Sequence, residues 1–151
     1  MNVLSLDPGI TTGYAIGMIE KGEMHVISGE AKWNHAEIYR NLLEDLKPSY
    51  IICERFEHRH GNRGRHGVEL FPREIIGVVQ LYAQMNGAEI RLQMPMKSSP
   101  TTYFNDERLK ELAVFKSGRG HANDAVRHLL FWAKFKGGSQ FVTRIKSEVL
   151  A

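Results

Sequence analysis

The five residues Tyr50-Ile51-Ile52-Cys53-Glu54 constrain this chain more than any other stretch. So short and nearly continuous an apolar run marks a strand covered on both faces in a parallel sheet. A parallel neighbour requires a crossover, usually a helix, and one is written just upstream. Asn34 followed by Glu37 reads as a capping box, Ile38, Leu42, Leu43 and Leu46 form an apolar stripe, and Pro48 stops it. Before that helix, residues 3–7 alternate and meet Pro8-Gly9, residues 13–19 form a second strand, and Lys21-Gly22 turns the chain into a third over 24–28. After the apolar run, Pro72 opens a helix reaching Asn86, Gly87 ends it, and residues 88–92 form another strand. Residues 95–102 read as a loop, 106–114 as a short helix, and Ser117-Gly118-Arg119-Gly120 as a joint before a strong helix over 121–136. The order predicts an α/β fold: a mixed five-stranded sheet, three antiparallel strands plus two parallel, flanked by helices. One domain is expected over residues 1–151, with residues 137–151 as a surface tail.

At 42% hydrophobic and 25% charged residues the chain has a globular balance, and its length suffices for a core without disulfides. No apolar run approaches the roughly 18 residues of a membrane span, so no membrane partner is expected. Cys53 is the single cysteine, which excludes an intramolecular disulfide and favours a cytoplasmic setting. It lies in the buried strand with no base beside it in sequence, so a covalent intermediate is not suggested. Trp132, Phe131 and Phe135 read as core or dimer contacts.

Net charge is only +3, but it is unevenly placed. Arg55, Arg59, Arg63 and Arg65 meet Glu57 alone across a glycine-bearing basic loop expected to be mobile over residues 55–67. Arg127, Lys134, Lys136, Arg144 and Lys146 meet no acid between Asp124 and Glu148. Two basic regions on a balanced body point to a polyanion, nucleic acid before membrane, or to a solvated basic surface.

The acids stand in costly places. Asp7 ends the first strand and Glu54 ends the strand after the crossover. As parallel neighbours they emerge at the carboxyl edge, where open α/β sheets place their ligands. The pleat puts Ser5 with Asp7 on one face, and Ile52 with Glu54 on one face. Two such carboxylates repel unless a cation lies between them. His121, Asp124 and His128 follow at i, i+3 and i+7 on the last helix, one stripe able to face that edge. Oxygen donors with one imidazole suit Mg²⁺ or Mn²⁺ better than zinc. Singly, Asp7 could be a turn residue and Asp124 a surface acid paired with a histidine; together they read as a metal site.

Asp7-Pro-Gly-Ile-Thr-Thr-Gly-Tyr-Ala-Ile, Ile-Cys-Glu54-Arg-Phe56 and His121-Ala-Asn-Asp124-Ala-Val-Arg-His128 resemble the RuvC-type Holliday junction resolvases of the RNase H-like superfamily, particularly small phage-encoded members. The resemblance runs through residues 1–135. It implies an RNase H-like fold, a homodimer, two Mg²⁺ or Mn²⁺ ions per site, no organic cofactor, and paired nicks across four-way DNA that leave 5′-phosphates. It implies that Asp7 bridges both ions, that Glu54 holds one and Asp124 the other, and that His121 acts as ligand or general base where many members carry an acid. Phe56 stands near the family's junction wedge, two residues after the acid instead of three, and is a wedge or a core residue. Lys97, in Pro95-Met96-Lys97, becomes a candidate for holding the scissile phosphate or else a solvated lysine. Arg55, Arg59, Arg63 and Arg65 would follow phosphates, giving affinity but little sequence information.

Other readings remain. A nuclease of the same fold could prefer flaps, forks or RNA-containing substrates, and a junction-binding protein could lack catalysis. The Asp7–Gly13 turn also resembles the phosphate loop of actin-like kinases and ATPases, but those bind nucleotide between two lobes and 151 residues supply one.

Overall fold

A computed structural model describes residues 1–56, 70–94 and 100–147. Strand β1 (Asn2–Asp7) leads through the Pro8-Gly9 turn to β2 (Thr12–Glu20) and β3 (Glu23–Ala31). Helix α1 (His35–Ile38) continues as a π-helical stretch over Tyr39–Glu44, and β4 (Tyr50–Glu54) follows. Next come α2 (Phe71–Asn86), β5 (Glu89–Gln93), α3 (Pro100–Tyr103), α4 (Asp106–Glu111) and α5 (Gly120–Phe135). A 3₁₀ turn (Gly138–Gln140) and β6 (Arg144–Ser147) complete the series.

The sheet runs β5-β4-β1-β2-β3-β6. β1, β2 and β3 are antiparallel neighbours, β4 and β5 extend the sheet in parallel on one side, and β6 pairs parallel with β3 on the other. The expected mixed sheet is therefore present with one strand more than expected. The tail from residue 137, expected on the surface, is mostly exposed where described, and its residues 144–147 add an unexpected sixth strand at the sheet edge. Its four residues carry little apolar period, and the backbone of Glu23–Val26 supplies the pairing instead. Two boundaries also move. Residues 100–103 are helical where a loop was expected, and α4 stops at Glu111, just before Ala113 at φ 58°.

Local chemistry accounts for the main turns and starts. Lys21 and Gly22 both take positive φ, 50° and 79°, as a two-residue hairpin turn requires. Asn34 Oδ1 accepts from the Glu37 amide at 2.9 Å and starts α1. In the turn after β1, Thr12 Oγ1 donates to the Gly9 carbonyl at 2.9 Å, which holds the Asp7 end of the strand against its neighbour.

Two cores lie on opposite faces of the sheet and follow its pleat. Leu4, Leu6, Ile51 and Cys53 face Ile38, Leu42, Leu43, Ile75, Val79 and Tyr82 of α1, its π-helical extension and α2. Val3, Ala15, Met24 and Ile52 face Ala125, Val126, Leu129, Leu130 and Trp132 of α5. Trp132 is wholly buried, whereas Phe135 is exposed. Among the described residues no helix is long and apolar enough to cross a membrane.

Candidate active site

The pleat that sends Leu4 and Leu6 to the α2 side sends Asp7 to the α5 side, and Glu54 follows Ile52 there. Leu6 pairs with Cys53 in parallel register, so Asp7 and Glu54 come next, side by side at the carboxyl edge. Helix α5 reaches the same edge because β2 yields room for it. A Cβ at Gly13 would lie 1.9 Å from the His121 carbonyl oxygen and 3.0 Å from the Ala122 nitrogen, so only glycine admits the helix start at this depth. Ala15 and Gly17 continue that face of β2 with small residues.

Glu30 completes the docking. The N-cap residue Arg119 makes no side-chain cap bond, and Ala122 N–H donates instead to Glu30 Oε2 at 3.2 Å. A carboxylate at a helix start also meets the positive end of the helix dipole. Neither Glu30 nor Gly13 was singled out from the sequence as a site residue. The alternating small residues Gly13, Ala15 and Gly17 were a legible sign of close packing; Glu30 left none, because its partner is 92 positions away. Glu30→Ala is expected to lower stability by about 0.5–2 kcal/mol, the usual range for a lost cap. Glu30→Gln should recover most of that loss, as thermal melts of the two variants would show.

Each of the acids rests one oxygen on a nitrogen base. Asp7 Oδ2 lies 3.0 Å from His121 Nδ1. Glu54 Oε2 lies 3.1 Å from His128 Nε2. Asp124 Oδ1 accepts from Arg127 Nη1 at 2.7 Å. Asp7 is the most buried of the three, with its side chain 13% exposed. Burial above all, then the neighbouring Glu54 charge, raises its carboxyl to about 7, with Asp124 adding to the rise and the bond to His121 opposing it. Its negative charge is thus poorly compensated by the protein itself.

Asp7, Glu54, His121 and Asp124 are therefore brought to one edge as expected. They do not form a closed cage: among the described residues no three His, Cys, Asp or Glu side chains stand grouped around a common ion position. The donor set still fits a hard divalent ion, since Asp7, Glu54 and Asp124 supply carboxylate oxygens and His121 one imidazole. The stripe of His121, Asp124 and His128 divides in function. His128 is wholly buried and turns to Glu54, while His121 is half exposed beside Asp7.

The other expected residues divide between described and undescribed parts of the chain. Arg55 is exposed next to Glu54, and its amide donates to the Gln93 carbonyl at 2.6 Å, extending the β4–β5 ladder. Phe56 is half-buried. Arg59, Arg63, Arg65 and Lys97 lie outside the described residues, as does most of the expected mobile loop over 55–67. Of the second basic region, Arg127 is buried and bonds Asp124, Asp106 and the Phe104 carbonyl. Arg144 and Lys146 flank Glu23. Of that region Arg127 is thus spent inside the protein, while Lys134, Lys136 and Arg144 remain exposed. Cys53 is buried on the opposite face, and desolvation pushes its thiol up, so it is no nucleophile.

Neither a protein-family model nor a curated protein matches the sequence. Solved structures do. The Thermus thermophilus RuvC structure in complex with Holliday junction substrate superposes with a TM-score of 0.62 at 18% identity, covering 88% of this chain and 95% of that one. The fowlpox virus Holliday junction resolvase gives 0.59 at 16%, covering 87% and 97%. The yeast mitochondrial Holliday junction resolvase gives 0.52 at 15%, covering 87% and 70%. The chain has the RNase H-like fold of these resolvases.

Proposed function

We propose that this protein is a divalent-metal-dependent endodeoxyribonuclease that resolves four-way DNA junctions by paired nicks. The observation that carries the reading is the meeting of Asp7 and Glu54 at the carboxyl edge with Asp124 and His121 from the first turns of α5. The likeness to structures of Holliday junction resolvases supports it and suggests the substrate class.

Two Mg²⁺ or Mn²⁺ ions, when bound, supply charge neutralisation at the scissile phosphate and a more acidic attacking water. Asp7 stands between the other acids and would hold both ions, Glu54 one and Asp124 the other. His121 steadies Asp7 through Nδ1 and keeps a half-exposed ring to take a water proton or to join the ligand set. Arg55, with Arg59, Arg63 and Arg65, would follow the DNA backbone, Lys97 would meet the scissile phosphate, and Phe56 would sit at the junction opening. The affinity so gained falls steeply with salt.

Paired nicks in a two-fold substrate call for a two-fold enzyme. The outer face of α2 would offer the surface for a second copy: Leu81 and Met85 stand one turn apart, Leu81 56% and Met85 74% exposed. A Leu81→Glu/Met85→Glu variant is expected to sediment as a monomer and to lose the coupling between the two nicks.

The test is cleavage of matched four-way, flap, fork and RNA–DNA hybrid substrates with Mg²⁺, with Mn²⁺ and with EDTA. Symmetric nicks in the four-way substrate that vanish in EDTA are the expected result. Preferential cutting of the hybrid or the flap would replace the resolvase reading, and cutting undiminished by EDTA would remove the metal from it.

A further inference from the structure

Behind Glu54 lies a polar chain that the proposed chemistry does not use. His128 is wholly buried on the inward side of α5. Its Nε2 is 3.1 Å from Glu54 Oε2 and its Nδ1 is 2.8 Å from Gln93 Oε1. Gln93, the last residue of β5, is itself 5% exposed, and its amide nitrogen is buried without a hydrogen-bond partner among the described residues. A buried histidine and a buried glutamine in line behind a carboxylate carry a heavy desolvation cost unless their polar atoms are satisfied.

Hydrogen-bond logic orients the chain. With Gln93 Oε1 on Nδ1, the ring must donate from Nδ1, and a neutral imidazole then sets a bare Nε2 lone pair against the Glu54 carboxylate. Turning the amide by 180° puts the orphaned Gln93 nitrogen on Nδ1 as donor. The ring proton then sits on Nε2 and is donated to Glu54 Oε2. The rotation gives the Gln93 nitrogen a partner and removes the lone-pair clash, and it moves the carbonyl oxygen to the place the nitrogen held.

We propose that Gln93 and His128 form a buried positioning relay that holds Glu54 by one oxygen, Oε2, with Oε1 left to face a cation. His128 is a positioning residue, not a catalytic one: it lies within the core and acts through Glu54. The metal part of the inference rests on the reading of Asp7, Glu54 and Asp124 as an ion site; the hydrogen-bond chain does not. Groups that orient a ligand in this way typically alter metal affinity 10–100-fold, on the order of the effect expected here.

Two measurements on the full-length protein separate these parts. Long-range ¹⁵N–¹H NMR of the metal-free protein, with the His128 ring assigned by its loss in His128→Gln, should show the ring proton on Nε2 and not on Nδ1. A ring protonated at Nδ1 would overturn the relay whatever the metal does. Mn²⁺ titration by calorimetry should then show His128→Leu weakened by about 10–100-fold. His128→Gln, which retains an amide donor near Glu54, should recover much of the loss. Equal Mn²⁺ affinity in wild type and His128→Leu would overturn the positioning role. If the leucine variant does not fold, Gln93→Leu serves in its place, and unaltered Mn²⁺ affinity there counts equally against the relay. Wild-type protein that binds no Mn²⁺ would sink the metal reading and with it the ligand role, while the NMR result would still decide the hydrogen-bond chain.

Discussion

Asp7→Asn should reduce junction cleavage by more than about 10³-fold, because several kcal/mol of transition-state charge stabilisation depend on the metal that this carboxylate would bridge. Binding of the four-way junction should stay close to wild type, since in the proposed reading affinity would come from the basic segment and not from the acid. A gel-shift assay beside a cleavage assay separates the two, and joint loss of both would make Asp7 a structural residue.

The same substitution has a second, opposite effect on stability. In the folded protein burial and Glu54 raise the Asp7 carboxyl from an ordinary 3.8 to about 7. Between roughly pH 4 and 7 the folded state therefore keeps a proton that the unfolded chain has released, and raising the pH destabilises the metal-free fold. The penalty is complete above the folded pKa and absent below the unfolded one. Asp7→Asn should thus melt higher than wild type at pH 8 without metal, with the difference shrinking toward pH 4. Divalent ions should raise the wild-type melting temperature and leave the variant's nearly unchanged. A variant less stable than wild type at pH 8 would show that the bond to His121 outweighs the buried charge.

Gly13→Ala is the second change of large effect. The added methyl would sit 1.9 Å from the His121 carbonyl oxygen, and both atoms belong to backbone that cannot turn aside as a side chain would. The helix start must lift from β2, carrying His121 and Asp124 away from Asp7 and Glu54. Overpacking of this kind costs about 1–3 kcal/mol, and displacing catalytic groups by about 1 Å can cost 10²-fold in rate. Thermal melts and cleavage rates should both fall, with the rate falling further than stability alone explains. An alanine variant with wild-type turnover would show that α5 can dock at another depth.

Much of this was readable from residues. The apolar run at 50–54, the alternation at 3–7 and the Lys21-Gly22 turn led to the central strands and their pairing. The pleat then placed Asp7 and Glu54 on one face, because side-chain direction in a strand has period two whatever surrounds it. The stripe of His121, Asp124 and His128 followed from helical spacing in the same way. The sixth strand escaped because its pairing depends on the free edge of β3 and not on its own pattern. Within the second basic region Arg127 is the buried exception, since charge along a sequence does not reveal which cation is buried. Arg127 meets Asp106 and Asp124, and Lys146 meets Glu23 at 2.9 Å.

The sequence by itself determined the periodic facts: the central strands and the main helices, which face each acid takes, and which donor types meet at the sheet edge. These follow from backbone geometry repeating every two or 3.6 residues. Only the tertiary structure decided how deeply α5 sits on Gly13, that Glu30 caps it, and that His128 serves Glu54 while His121 serves Asp7. Those assignments join positions far apart in the chain, and their energies depend on distance and burial in space, which no local pattern encodes.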